Sequence, residues 1–197
     1  RKNFPAKDLQ SLISMIKAAP EKLNNGHGGV GSTSHVSCVF FTSLIGARSP
    51  MIPYRGSGPA FADILSEQYD YLCDQIPHTV GHVKAGSVRM LAIATPERSD
   101  AVPDVPTTIE AGLPAYQASG WNAMFAPKGT PRPIVEKLNA ALRQALETPN
   151  VKDKLESIGA VLPRQPNRTP DGLRAFVGTE IQKWAPIMKA ANVEAPK

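Results

Sequence analysis

The 197-residue sequence has only two cysteines, Cys38 and Cys73, far apart in the chain. Their spacing excludes a zinc ribbon and a CxxC redox centre, both of which need closely spaced pairs. The two read as buried free thiols, with a single disulfide as the alternative. Long apolar runs are missing as well: stretches such as residues 87–95 fall far short of the ~18 residues that a bilayer crossing requires. No charged start followed by an apolar core opens the sequence at Arg1, so the expectation is neither a membrane span nor an intact precursor. Clustered charge is lacking too. The 22 Lys+Arg and 17 Asp+Glu leave a net +5, but the signs are interleaved and RNA-binding aromatic motifs are missing, so no nucleic-acid partner is expected. A mild positive bias suits small anionic ligands, which it steers weakly.

Proline is abundant, at 19 residues with 15 glycines beside it, about twice the usual ~5% for proline. These residues punctuate the chain without forming a tract, which predicts many short elements and no disordered linker. The length allows one large domain or two small ones, at roughly 100–200 residues per domain.

Residues 5–19 carry Leu9, Leu12, Ile13, Ile16 and Ala19 at helical spacing, with Asp8 early and Lys17 late to suit the helix dipole. A short strand over 22–27, a glycine loop and a helix over 34–45 follow. The pattern repeats: a strand over 49–54, then a helix over 59–66 opened by Pro59; a strand over 69–73, then a helix over 77–85 closed by Gly86. Residues 88–95 are β-rich. Such alternation argues for an α/β layer with a largely parallel sheet, whose ligands gather at the carboxyl ends of the strands. Residues 119–126, with Trp121, Met124 and Phe125, read as a strand crossing between two lobes. The remainder is helical over 133–148, 150–158 and 169–191.

The segment Gly28-Gly29-Val30-Gly31-Ser32-Thr33-Ser34-His35 is the most informative. It follows a strand and opens a helix, so its N–H groups and hydroxyls converge on the positive end of a helix dipole. That arrangement binds anions. The GxxxxGK[ST] spacing and the GxGxxG fingerprint are both missing, which leaves a carboxylate or a free phosphate as the anion. The plainer alternative is that a hydroxyl caps the helix and the glycines make a tight turn.

Asp74 and Gln75 follow a strand and face the same crevice, where Asp74 suits a ligand amine or hydroxyl; otherwise it caps the next helix. His27 is a ligand-contact candidate, whereas His35 reads as packed or capping. His78 and His82 have zinc-helix spacing, but Thr79 stands where HExxH has its glutamate and no third ligand is evident. No metal, cofactor or catalytic residue is expected, since no Gly-x-Ser-x-Gly elbow occurs and Cys38 lies on an apolar helical face. Trp121 and Trp184 read as core or hinge packing.

Several segments together resemble one family: Phe4-Pro5-Ala6-Lys7, Gly29-Val30-Gly31-Ser32-Thr33-Ser34-His35, Pro53-Tyr54-Arg55-Gly56-Ser57-Gly58-Pro59-Ala60, Pro103-Asp104-Val105-Pro106-Thr107, Glu110-Ala111-Gly112-Leu113-Pro114, Phe125-Ala126-Pro127-Lys128-Gly129-Thr130-Pro131 and Lys183-Trp184-Ala185-Pro186. In order and spacing, from Phe4 to Val193, the chain resembles the tripartite tricarboxylate transporter substrate-binding proteins, or Bug receptors. The resemblance implies a periplasmic-binding-protein-like (type II) α/β fold of two lobes that close on a small organic acid: a di- or tricarboxylate, an aromatic acid or an amino acid. It also implies membrane transporter subunits as partners and a periplasmic location.

Carried over, the family's carboxylate loop corresponds to Gly31, Ser32, Thr33 and Ser34 here, with Gly29 and His27 beside it, and Asp74 and Gln75 become second-side contacts. The family's opening first-lobe strand and its Pro/Gly-rich loop have no counterpart in this sequence. The expectation is therefore a complete second lobe over 1–117 and a returning, mainly helical, incomplete first lobe over 118–197, with exposed apolar faces and self-association. The other readings are a ligand-sensing or interaction module derived from such a receptor, and an α/β hydrolase-like enzyme.

Overall fold

The computed structural model describes residues 1–190. Ala191, expected to end the last helix, and Val193 lie outside the described residues. The chain opens with α1 (Leu9–Ala18), whose spacing of Leu9, Leu12, Ile13 and Ile16 buries one face. Asp8 is its N-cap: its carboxylate accepts the Ser11 N–H at 2.7 Å while the Ser11 hydroxyl accepts the Asp8 N–H at 3.2 Å, a reciprocal box.

Three strand–helix units follow: β1 (Asn25–His27) with α2 (Thr33–Leu44), β2 (Met51–Pro53) with α3 (Ser57–Leu65), and β3 (Tyr71–Leu72) with α4 (Ile76–Lys84). The sheet order is β2-β1-β3, all parallel, with Gly26 paired to Ile52 on one side and to Leu72 on the other. The central strand thus places its following loop between the loops of its neighbours, at the carboxyl edge of the sheet.

The main core joins Leu9, Leu12, Ile13 and Ile16 of α1 to Cys38 and Phe41 of α2, with Tyr71 and Tyr116. A smaller cluster of Phe61, Ile64, Tyr69 and Val88 fills the space under α3.

The structure shortens every expected strand and moves the helix starts. Pro59 sits in the third position of α3, not the first; the helix begins at Ser57 because Gly56, at φ 108°, turns the chain there. Gly86, at φ 65°, does terminate α4 as expected. Two expected strands are replaced. Residues 88–95 form no strand because their backbone groups go to loops. The Ile93 N–H donates to the Pro106 carbonyl at 2.9 Å, the Thr108 N–H to the Ile93 carbonyl at 2.8 Å, and the Ala118 N–H to the Ala94 carbonyl at 3.1 Å. A single parallel bridge, Ile93 to Thr107, is all that results. Residues 119–126 are exposed and carry no regular secondary structure, with no strand partner among the described residues.

The last third is α5 (Arg132–Glu147), α6 (Pro149–Ser157) and α7 (Pro170–Ala190). Trp184 of α7 meets Phe40 of α2 edge-on at 5.6 Å, and the Lys183 Nζ donates to the Gln117 carbonyl at 3.0 Å. These contacts fit the hinge packing expected of Trp184. Trp121 instead stays 38% exposed, its edge against Phe176 at 5.4 Å. Neither α5 nor α6 buries a residue, and Ile134, Leu138, Val151 and Ile158 are exposed along them.

Candidate functional site

The turn from β1 into α2 takes its shape from glycine. Gly29 and Gly31 stand at φ 114° and 78°, conformations that a side chain at either position strains. Ser32 is the N-cap of α2, its hydroxyl accepting the His35 N–H at 3.2 Å. The Gly28 N–H donates to the Ser34 Oγ at 2.9 Å, and the Ser32 and Ser34 hydroxyls lie 3.1 Å apart. Both histidines hold the loop from within: the Gly29 N–H donates to His27 Nδ1 and the Gly31 N–H to His35 Nδ1, each at 3.2 Å. Nδ1 can accept only as a bare ring nitrogen, so the hydrogen bonds place each neutral imidazole's proton on Nε2. The rings sit 4.4 Å apart. Burial pushes both below the ordinary histidine range, and the proximity of His27 pushes His35 further the same way.

The amides of Val30, Thr33 and Ser34 find no acceptor among the described residues. Two of these donors lie in the first turn of α2, beside exposed Thr33, and one in the loop before it, the kind of group that an anion at a helix N-terminus meets. The capping alternative is also realised, since Ser32 does cap α2; capping spends the hydroxyl and leaves the first-turn amides open.

His27 is only 2% exposed. The structure therefore makes it a support beneath the loop, not an open contact surface, because β1 is the central strand. His35 plays the same part.

The turn over 55–58 is readable in the sequence, but its place beside the glycine loop is not. The Tyr54 N–H donates to the His27 carbonyl at 2.8 Å and the Gly56 N–H to the Gly28 carbonyl at 3.2 Å, so the start of α3 abuts the glycine loop. The signal for the turn itself lies in the strand–glycine–helix order of Pro53 to Ser57.

Asp74 and Gln75 lie just past β3 on the same edge. The Asp74 side chain is 3% exposed. Its Oδ1 accepts the Gln75 N–H at 2.8 Å and lies 3.2 Å from His78 Nδ1, while Oδ2 is buried without a partner. Asp74 turns inward, onto a cavity of about 180 Å³ that Ser37, Cys73, Thr79, Thr108 and Tyr116 also line. Gln75, not Asp74, is the N-cap residue of α4, and makes no side-chain capping bond. Its side chain lies against Gly120, where a Cβ would collide with it.

His82 stacks on Phe61 at 4.6 Å, which separates its role from that of His78. No group of three or more metal-ligating side chains occurs among the described residues, and no described helix is long and apolar enough to cross a membrane.

A parallel sheet with a glycine–hydroxyl loop and helix N-termini at its carboxyl edge is an α/β arrangement whose ligand sites lie at that edge. The chain belongs to the tripartite tricarboxylate transporter family of receptors, whose model matches residues 1–193. Among solved structures it is similar to MatC of Rhodopseudomonas palustris with bound malate, at TM-score 0.91 and 42% identity over 95% of this chain and 64% of that one. It is also similar to the periplasmic binding protein BugD, at TM-score 0.90 and 32% identity over 98% and 64%. The R. palustris protein Rpa4515 with adipate gives TM-score 0.89 and 31% identity over 98% and 63%. Protein BugT of Bordetella pertussis is 36% identical over 186 residues, 94% of this chain. The chain spans 56% of the length of that relative. The family's description is that of a transporter receptor.

Proposed function

We propose that this chain belongs to a periplasmic receptor that captures a small organic acid for a tripartite tricarboxylate-type transporter, whose membrane subunits are its partners. The observation that carries the reading is the set of unspent amides of Val30, in the loop before α2, and of Thr33 and Ser34 in its first turn. One ligand carboxylate sits at Gly29, Gly31, Ser32, Thr33 and Ser34, supported from beneath by His27. Asp74 and Gln75 meet the rest of the ligand from the next strand, Asp74 through its unpartnered Oδ2. Malate in MatC and adipate in Rpa4515 support the dicarboxylate class, and the periplasmic binding protein BugD supports the compartment.

In this reading the second lobe runs over 1–117 and the returning part of the first over 118–197. The exposed apolar side chains of α5 and α6 then serve self-association, which sedimentation of the chain would reveal as a dimer and refute as a monomer.

The test of the site is titration calorimetry with malate and adipate. Replacing Ser32→Ala together with Thr33→Ala weakens carboxylate binding at least about tenfold, or about 1.4 kcal/mol. Unchanged affinity for a ligand that the parent chain binds rejects a part for these hydroxyls; Thr33→Pro, which removes an unspent N–H at the first position of α2, where proline is tolerated, tests the amides, and unchanged affinity there rejects the Thr33 amide as a ligand contact.

A further inference from the structure

The two cysteines, 35 positions apart in a chain with no others, meet in the fold. Helix α2 lies across the sheet, and the edge of the Phe41 ring meets Tyr71 at 6.2 Å. Cys38 stands one turn before Phe41 on the same helical face, and Cys73 stands two residues after Tyr71, the first residue past β3. One step along the chain from each partner of the Phe41–Tyr71 contact therefore brings the two thiols toward each other, and Cys73 packs against the core cluster that holds Cys38. Cys38 is fully buried in the main core, Cys73 is half-buried against it, and both are free thiols in this structure. Tyr116 closes the group, its hydroxyl donating to the Ser37 carbonyl at 3.1 Å, and it lines the same cavity as Cys73.

We propose that Cys38 and Cys73 are the reduced form of a disulfide that ties α2 to the loop leaving β3. The step breaks two S–H bonds and forms one S–S bond; the two electrons and two protons pass to a disulfide oxidant, which leaves as two thiols. The bond closes a loop that contains β2 and α3. Its position also matters: Cys38 lies one turn below Ser34, and Cys73 adjoins Asp74. The crosslink therefore fastens together the two elements that carry the candidate ligand contacts, and it does so whatever the ligand is.

Burial holds the Cys38 thiol well above its ordinary range, so the thiolate needed for exchange is scarce in the closed protein. Oxidation consequently belongs to folding, or to conditions that open the α2–β3 contact. The experiment is refolding of the chain from denaturant in a buffer of reduced and oxidised glutathione. The product is then denatured, labelled with a maleimide and analysed by intact mass and a non-reducing peptide map.

The expected product takes no label, is lighter than the reduced chain by two hydrogens, and yields a Cys38 peptide joined to a Cys73 peptide. It also melts above the same protein treated with a phosphine reductant, and Cys73→Ser abolishes that difference. Two labelled cysteines at every glutathione ratio overturn the proposal. So do a lone glutathione adduct on Cys73 and a crosslink between two chains. If Cys73→Ser fails to fold, the labelling pattern of the unsubstituted chain decides by itself.

Discussion

Gly26→Ala is the substitution that most directly tests how the central strand is packed. A Cβ at Gly26 would stand 2.7 Å from Tyr69 Cε1 and 2.8 Å from Cε2, and closer still to Cζ, well inside van der Waals contact. The ring has little freedom to retreat: Tyr69 is 2% exposed, its hydroxyl donates to the Ala60 carbonyl at 2.7 Å, and Tyr54 lies 5.8 Å away on one side. Overpacking of this kind costs about 1–3 kcal/mol, and displacing the ring from Ala60 forfeits a hydrogen bond of about 1 kcal/mol. The sum, about 2–4 kcal/mol, corresponds to a melting-temperature loss of roughly 4–16 °C for a chain of this size. Urea and thermal denaturation followed by circular dichroism measure it. A smaller ring partner relieves the clash, so Tyr69→Leu combined with Gly26→Ala is less destabilised than the two single changes added together. A melting temperature within a degree or so of the parent, or strict additivity in the cycle, refutes the argument that Tyr69 is the reason for glycine here.

Two further outcomes follow from the same structure. Asp8→Ala removes the carboxylate that accepts the Ser11 N–H and costs about 1 kcal/mol, read as a lowered denaturation midpoint; Asp8→Asn, which keeps an acceptor, retains most of it. Acidification destabilises the fold through His27 and His35. Their folded-state values are depressed below 6.5, so the unfolded chain takes up protons first; stability is complete above that value and is lost as pH falls from it through the folded-state values. Melting temperatures measured from about pH 7.5 down to about pH 5.5 show the decline, and His27→Gln with His35→Gln flattens it. An equally steep decline in the double variant assigns the effect elsewhere.

The sequence made the local parts of this fold legible because their causes are local. The spacing of Leu9, Leu12, Ile13 and Ile16 names the buried face of α1, and Asp8 and Gly86 mark ends whose chemistry lies within one turn. The glycine–serine loop was legible for the same reason. What escaped depends on partners distant in the chain. Residues 88–95 carry a strand-like pattern, but their hydrogen bonds go to Pro106, Thr108 and Ala118, and no pattern inside the segment says so. His27 looked like an open ligand contact beside a glycine loop; its burial follows from β1 being the middle strand, which is a property of the sheet order. The inward turn of Asp74 and the approach of Gly56 to Gly28 have the same origin.

An anion loop built from backbone donors faces two opposed demands, because amides must be fixed in direction and yet left without partners. Here the two demands fall on different residues. The Gly28, Gly29 and Gly31 amides are spent on Ser34, His27 and His35, and the Ser32 N–H on the Gly29 carbonyl at 3.1 Å; these bonds fix the loop. The Val30, Thr33 and Ser34 amides are the ones left for a ligand. The arrangement works only while both imidazoles present a bare Nδ1, since a protonated ring carries N–H groups at both nitrogens and would face the Gly29 and Gly31 donors with another donor. In the proposed site, burial of the histidine pair therefore serves binding: by disfavouring the imidazolium it keeps two acceptors beneath the loop. The pH range in which the fold loses stability through these rings is also the range in which the loop loses its supports.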